Sequence, residues 1–319
     1  MKKILFAVLA LAAMASCSKE YTVDYNKQAI AFGEAFVDNG TRADYSSGNE
    51  IATFKVYGTL TGSDNTGGNT VQIFNGADVA RPDDLPTGYN ESKAWNCTTT
   101  QYWVPSASYK FAAIVDGAAT TTTGLPETIP FTVTDGDGDL LYAEATATTN
   151  ENATPSVNPV AFTFNHLLSK IQFTIANTMA EGYSIQVTNI TVAGVTDKGV
   201  YTVNGGTWDK ADDAATVATP LTFGTTAAIA SADSAVASMT HQILPVQQTL
   251  TVAIAYDIYF NDGTGAKKIA STTKTGEISQ SFVKNTVYNI TAEINATEIQ
   301  FSVKSVNGFA TPNVEDNIE

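Results

Sequence analysis

Apolar and polar residues alternate with a period of two along most of this chain. Ile171, Phe173 and Ile175 fall on one face, and Lys170, Gln172 and Thr174 take the other. Leu250, Val252, Ile254, Tyr256, Ile258 and Phe260 make a longer apolar stripe. Ile290 and Ile294 alternate with Thr291 and Glu293, and Ile299, Phe301 and Val303 alternate with Gln300, Ser302 and Lys304. In the first half, Phe54, Val56 and Leu60 alternate with Lys55, Tyr57 and Thr59, and Tyr109, Phe111, Ala113 and Val115 form a similar stripe. A period of two is that of a strand with one buried face. Turn residues separate these runs: Gly62-Ser63-Asp64-Asn65, Asp116-Gly117, Asn204-Gly205-Gly206 and Asn261-Asp262-Gly263. No window carries a helical period. His166 to Ser169 reads as one turn, and Ala227 to Met239 as a short helix or a loop. Many half-buried strands joined by short polar turns predict an all-β protein built from antiparallel sandwiches.

Length predicts two domains of ordinary size. The best internal boundary is the polar stretch 150–159, which carries Pro155 and Pro159 and lacks apolar periodicity. The expected division is an N-terminal sandwich over 43–157 and a C-terminal one over 158–319.

The start of the chain bears on location. Lys2 and Lys3 precede the apolar run Ile4 to Ala13, and Met14-Ala15-Ser16-Cys17 follows. Basic start, short apolar run and small residues before a cysteine predict a signal peptide over 1–16 and lipidation of Cys17. No later apolar run is long enough for a membrane-spanning helix, so lipid is the expected membrane contact. The other cysteine, Cys97, then has no partner, and without a flanking base or cationic cluster it reads as a structural thiol. The formal net charge is −15, from 17 basic and 32 acidic residues. That argues against nucleic acid as a partner, since phosphate binding needs concentrated Lys and Arg. It fits a solubilised extracellular protein.

Several segments, in order, resemble one family. Phe162-Thr163-Phe164-Asn165-His166-Leu167-Leu168-Ser169-Lys170-Ile171-Gln172-Phe173 resembles the midpoint signature of the Bacteroidetes fimbrillins, the Mfa-like and FimA-like pilins. Tyr102-Trp103-Val104-Pro105 followed by Tyr109-Lys110-Phe111 resembles the aromatic strand pair of their first domain, and Asp139-Leu140-Leu141-Tyr142-Ala143 its closing segment. Ile243-Leu244-Pro245-Val246-Gln247 and Asn285-Thr286-Val287-Tyr288-Asn289-Ile290 resemble strands of their second domain. The resemblance implies two transthyretin-like antiparallel β-sandwich domains in tandem. It also implies a surface lipoprotein precursor, and assembly with other pilin subunits by donor-strand exchange.

Within that resemblance, an Arg-specific or trypsin-like protease would act at Gly40-Thr41-Arg42-Ala43, cutting between Arg42 and Ala43. Exposed polar backbone is what proteases cut. The piece removed, 17–42, carries the candidate strand Ala29 to Val37, with Ile30, Phe32 and Phe36 as apolar anchors. Glu34 breaks the alternation, and Gly33 suggests a bulge that resets it. The candidate donor strand is 296–309, with Ile299, Phe301 and Val303 as plugs. Against this stands the plainer reading, in which Arg42 is an ordinary loop residue and 299–303 a final strand.

Other constellations point to less. His166 and His241 are the only histidines. They lack zinc-ligand spacing or a Gly-x-Ser-x-Gly elbow, so no enzyme activity, metal or cofactor is expected. Asp135-Gly136-Asp137-Gly138-Asp139 resembles a calcium loop, but Thr146 stands where the closing Glu would. Asp233-Ser234-Ala235 matches a short O-glycosylation pattern at Ser234. The competing function is a non-polymerising surface lipoprotein that binds glycan or protein through exposed Trp95, Tyr102, Trp103 and Trp208.

Overall fold

The computed structural model describes residues 28–37, 51–62, 68–82, 95–122 and 124–307. Among these the chain forms strands and no α-helix. The first half supplies β1 (Phe32–Val37), β2 (Thr53–Gly62), β3 (Thr70–Ala80), β4 (Asn96–Cys97), β5 (Ala107–Val115), β6 (Thr128–Thr132), β7 (Leu141–Thr148) and β8 (Val160–His166). Seven of these make one sheet in the order β1-β8-β7-β5-β2-β3-β4. Its inner face buries Phe54, Phe74, Tyr109, Phe111, Phe162 and Phe164, with Trp95 and Trp103, in one aromatic core.

The second half begins with β9 (Ser169–Asn177), β10 (Tyr183–Ala193), β11 (Lys198–Thr202), β12 (Thr207–Lys210), β13 (Leu221–Thr222), β14 (Ile229–Ala230), β15 (Ser234–Val236) and β16 (His241–Ile243). It ends with β17 (Gln247–Asn261), β18 (Ala266–Ser281), β19 (Thr286–Ile294) and β20 (Ile299–Asn307). One sheet runs β13-β10-β17-β18 with β14 also on β10, and the facing sheet runs β15-β9-β19-β20 with β16 also on β9. Between them lie the stripes read from the sequence: Ile171, Phe173 and Ile175, Leu250 to Tyr256, and Ile290 and Ile294. A small sheet, β12-β11-β6, ties the halves together.

Five expectations change. Two pairings are parallel rather than antiparallel, β1 with β8 and β9 with β19. Tyr57 and Thr59, expected on a solvent face, are buried, and the Ala119 N–H donates to the Tyr57 hydroxyl at 3.0 Å. A second layer covers that face, so Ala112 and Ile114 on β5 join the second core while Phe111 and Ala113 join the first. Ala227 to Met239 forms β14 and β15, and His166 to Ser169 joins β8 to β9 without a helical turn. Finally, the stretch 150–159 lies within the first half. β8 follows it and places Val160, Phe162 and Phe164 in the first core, so the cores change over at His166-Leu167.

That changeover is tied by polar contacts. The fully buried carboxylate of Asp139 lies 2.7 Å from His166 Nδ1. His241 Nδ1 lies 3.0 Å from Asp137, and the Gln242 N–H donates to the Gly136 carbonyl at 2.7 Å. The Asp137 N–H donates to Asp135 at 3.1 Å. The three aspartates thus turn to three different partners rather than converging on one point.

Candidate functional site

The residue sequence Ile30-Ala31-Phe32 sets two large apolar side chains on one face of an extended segment, and the first core receives both. Ile30 is 5% exposed and Phe32 fully buried. The Phe32 ring meets Phe74 edge-on at 5.2 Å and Phe111 at 5.6 Å, and stacks on Phe162 at 5.9 Å. Burying an Ile and a Phe stabilises by about 3–6 kcal/mol as an upper bound.

Backbone pairing is made on both edges of this segment. On one side β1 runs parallel to β8, with Phe32 opposite Val160 and Ala35 opposite Phe162. The Val160 N–H donates to the Ala31 carbonyl at 2.8 Å, and the Ala31 N–H donates to Asn158 Oδ1 at 3.0 Å. On the other side the Ile30 N–H donates to Gln101 at 2.8 Å. There the Trp103 N–H donates to Gln28 at 3.0 Å, and the Trp95 N–H to Phe32 at 2.6 Å. The segment therefore bridges β8 to the run that carries β4, and closes the first sheet around its core. Among the described residues nothing covalent fastens it there except the chain itself. Its loss would strip pairing groups from both neighbours and open an aromatic groove.

The register of β1 shifts between Phe32 and Ala35, where the sequence suggests a bulge at Gly33. Phe36 lies opposite Thr163 in that register, and its side chain is outside the described residues. Cys17, Arg42 and Ala43 are also outside the described residues.

Ile299, Phe301 and Val303 lie in β20, an edge strand with β19 as its one strand neighbour in the sheet order. All three are half-buried against the second core. A glycine makes this possible. A Cβ on Gly276 of β18 would stand 2.5 Å from Cε2 of Phe301, so only glycine lets the ring lie over that strand. Gly276→Ala should push Phe301 out at a cost of about 1–3 kcal/mol. Amide exchange over 299–307 should then rise by roughly tenfold or more. Unchanged exchange would mean that Phe301 does not hold β20 down.

The remaining candidates sit apart. Ser234 is exposed in β15, opposite Ala176. Trp95 and Trp103 are 7% and 3% exposed, deep in the first core, so no platform forms from them. Trp208 is half-buried and its indole N–H donates to the Leu167 carbonyl at 2.8 Å, which leaves Tyr102 as the exposed member of that set. Cys97 is half-buried, and burial pushes its thiol pKa up, away from a reactive thiolate. Sequence reasoning missed Asn158, Phe74, Gly58 and Gly276. Of these, the two glycines carried a signal, since each interrupts a strand pattern where another group approaches closely.

Comparison with known proteins agrees with this architecture. A family model described as fimbrillin-like matches residues 41–307. Among solved structures, the chain is similar to a fimbrial protein from Bacteroides vulgatus at 17% identity, covering 88% of this chain and 99% of that one with a TM-score of 0.57. It is also similar to a candidate cell adhesion protein from Bacteroides ovatus at 15% identity, covering 90% and 99% with a TM-score of 0.53. Identities this low carry the fold alone. Among curated proteins none matches. Because the family model spans most of the chain, and the strands it spans build both cores, the protein belongs to the fimbrillin-like family.

Proposed function

We propose that this chain is a structural pilin subunit of the cell surface. It is exported as a lipoprotein anchored through Cys17, cut between Arg42 and Ala43, and polymerised when a partner's strand replaces the segment 28–37. The observation that carries this reading is the seat of that segment. It closes an aromatic core, pairs on both edges, and lies just ahead of the candidate cut. The fimbrial and cell-adhesion descriptions of the similar structures agree with it. The family match also begins at residue 41, beside Arg42, and ends at 307, the end of β20.

The arginine content supports a controlled cut. Arg42 and Arg81 are the only arginines, and Pro82 follows Arg81. A proline after the arginine lacks the N–H that an extended substrate presents and fixes its own φ, so that bond resists trypsin-like cleavage. An Arg-specific protease thus has one good bond in the whole chain. The donor in this reading is 296–309, whose β20 must leave β19 to act. Ser234 offers an exposed hydroxyl for O-glycosylation beside Asp233.

The test is to treat the purified precursor with a trace of Arg-specific protease, then follow fragments by mass and assembly by light scattering. The expected result is one cut after Arg42, followed by species of rising mass that resist mild denaturant. A cut chain that stays monomeric would end the polymerisation reading. A folded precursor that resists cutting at Arg42 would end the activation step.

A further inference from the structure

β18 is the last strand of its sheet, with β17 as its one strand neighbour in the sheet order. Its other edge carries backbone N–H and C=O groups that no strand among the described residues pairs. Such an edge is a template for a further strand, and proteins commonly guard it with lysines or a bulge. Here the guards are weak. Lys268 lies 2.9 Å from Asp257 and Lys267 lies 3.3 Å from Asp262, so each is matched by an aspartate of its own hairpin. Lys274 donates to the Thr297 carbonyl at 3.0 Å. The bulge falls near the tip: Ile258 faces Ala270 and Tyr259 faces Lys268, so Ile269 is the extra residue. From Ala270 to Ser281 the register is unbroken.

Alternation sorts the side chains of this edge. Ile278 is buried between the sheets, so Glu277, Thr275, Thr273 and Ser271 point the other way, and all of them are exposed. The bulge resets the alternation and brings Lys268 onto the same outer face. Lys268 and Ser271 both reach the Asp257 carboxylate, the serine hydroxyl donating at 2.8 Å. The outer face therefore reads Lys268, Ser271, Thr273, Thr275, Glu277, with opposite charges at its ends and hydroxyls between.

That order is complementary to its own reverse. When two copies meet edge to edge and antiparallel, with Thr273 opposite its own copy, Ser271 faces Thr275 and Lys268 faces Glu277, twice over by the symmetry. Hydroxyl pairs and opposite charges are the cross-strand neighbours that stabilise antiparallel sheets. On the inner face Thr272 meets Lys274 and Ala270 meets Gly276, so no like charges oppose. Centring on Lys274 instead would set two ammonium groups face to face, and centring on Thr272 would lose both ion pairs.

We infer that β18 is a self-recognition edge, through which two copies of this chain pair antiparallel about Thr273 and join their sheets into one. The occupant is a second copy because the charges of this edge complement the same edge reversed. A contact of one strand with one strand is small, so the pair is weak. A fibre of the kind proposed above would repeat the edge, and its contacts would add. The pairing itself does not depend on that assembly.

The uncut precursor tests it, with Cys17 and Cys97 changed to serine. Thr273→Cys puts two thiols on directly facing residues, whose Cα atoms stand about 4.5–5.5 Å apart, within disulfide reach. Ser279→Cys, also exposed on the outer face, puts them about 40 Å apart. Oxidation of concentrated protein is expected to give a linked dimer from the first and at least tenfold less from the second. Sedimentation of the cysteine-free chain reads the same pairing without a covalent bond. Glu277 is exposed and faces Thr251 on its own hairpin, so Glu277→Lys leaves the core intact. It should weaken the dimer about tenfold, because like charges then face each other twice. Equal cross-linking at 273 and 279, or a dimer unchanged by Glu277→Lys, overturns the register. A chain that sediments as a monomer at every concentration, with no Thr273→Cys dimer, overturns self-pairing and leaves the edge to a strand of other origin.

Discussion

Thr291→Cys combined with Ser302→Cys, in a chain whose Cys17 and Cys97 are serine, is expected to abolish assembly when oxidised and to restore it on reduction. Thr291 and Ser302 face each other in the antiparallel register of β19 and β20. A disulfide between them staples the candidate donor to its own sandwich. Paired strands can exchange because hydrogen bonds and half-buried side chains open reversibly, and a covalent bond at mid-strand removes that route. Cutting after Arg42 should proceed at the same rate in both redox states, since the staple lies in the other half of the molecule. The matching control joins Thr251→Cys to Glu277→Cys, which face each other across β17 and β18. It staples the same sandwich and leaves β20 free. Light scattering after cleavage, with and without reductant, reads the result. Undiminished assembly of the oxidised 291–302 chain would show that β20 is not the donor.

Phe32→Ala should destabilise the first half by about 3–5 kcal/mol, the range for removing a fully buried aromatic ring. Each of the three ring contacts is worth about 0.5–1.5 kcal/mol beyond area burial. Three walls of rigid rings also leave little that can collapse into the hole. Against a total of about 5–15 kcal/mol for an ordinary domain, this is a large share. Trp95 and Trp103 are buried in the same core, so their fluorescence in a urea titration reports its unfolding. A shift worth less than about 1 kcal/mol would mean that the core closes without β1. The same variant bears on the proposed function. A leaving strand without its anchor should be displaced faster once Arg42 is cut, so assembly should accelerate while the uncut precursor weakens.

The two effects describe one balance. β1 fills the ring-lined site of Phe32 from within its own chain, ahead of the proposed cut at Arg42. β20 holds Phe301 over Gly276, where it is half-buried rather than enclosed. In the proposed exchange, Phe301 would leave this shallower seat only after cleavage has freed β1 from the groove. The direction of assembly would then come from the removal of β1 after the cut, not from a gain in buried apolar surface, since one ring leaves the groove as another enters.

What the sequence by itself determined was the kind of element and most of its inward face. The stripes of β9, β17 and β19 were legible because each strand buries one face deeply and carries mainly polar residues on the other. The all-β class, the turns at Asp116-Gly117 and Asn261-Asp262-Gly263, and the strand at Ile299 follow from the same local rules. Ile30 and Phe32 could be named as anchors because their spacing puts them on one face. Only the tertiary structure decided what each face meets. β5 is apolar on both sides because two cores press on it, and no local period separates the two. Tyr57 is buried by a layer brought from residues sixty positions away. The parallel pairings of β1 with β8 and β9 with β19 join segments far apart in the chain. Their direction depends on which edges remain open once the hairpins have formed. The changeover at His166-Leu167 escapes a search for polar linkers, since Leu167 and Leu168 are buried there and the polar contact that ties it, His166 with Asp139, is itself buried. The groove is of the same kind: its anchors are local, but its walls, Phe74, Phe111 and Phe162, come from three strands that only the closed sheet brings together.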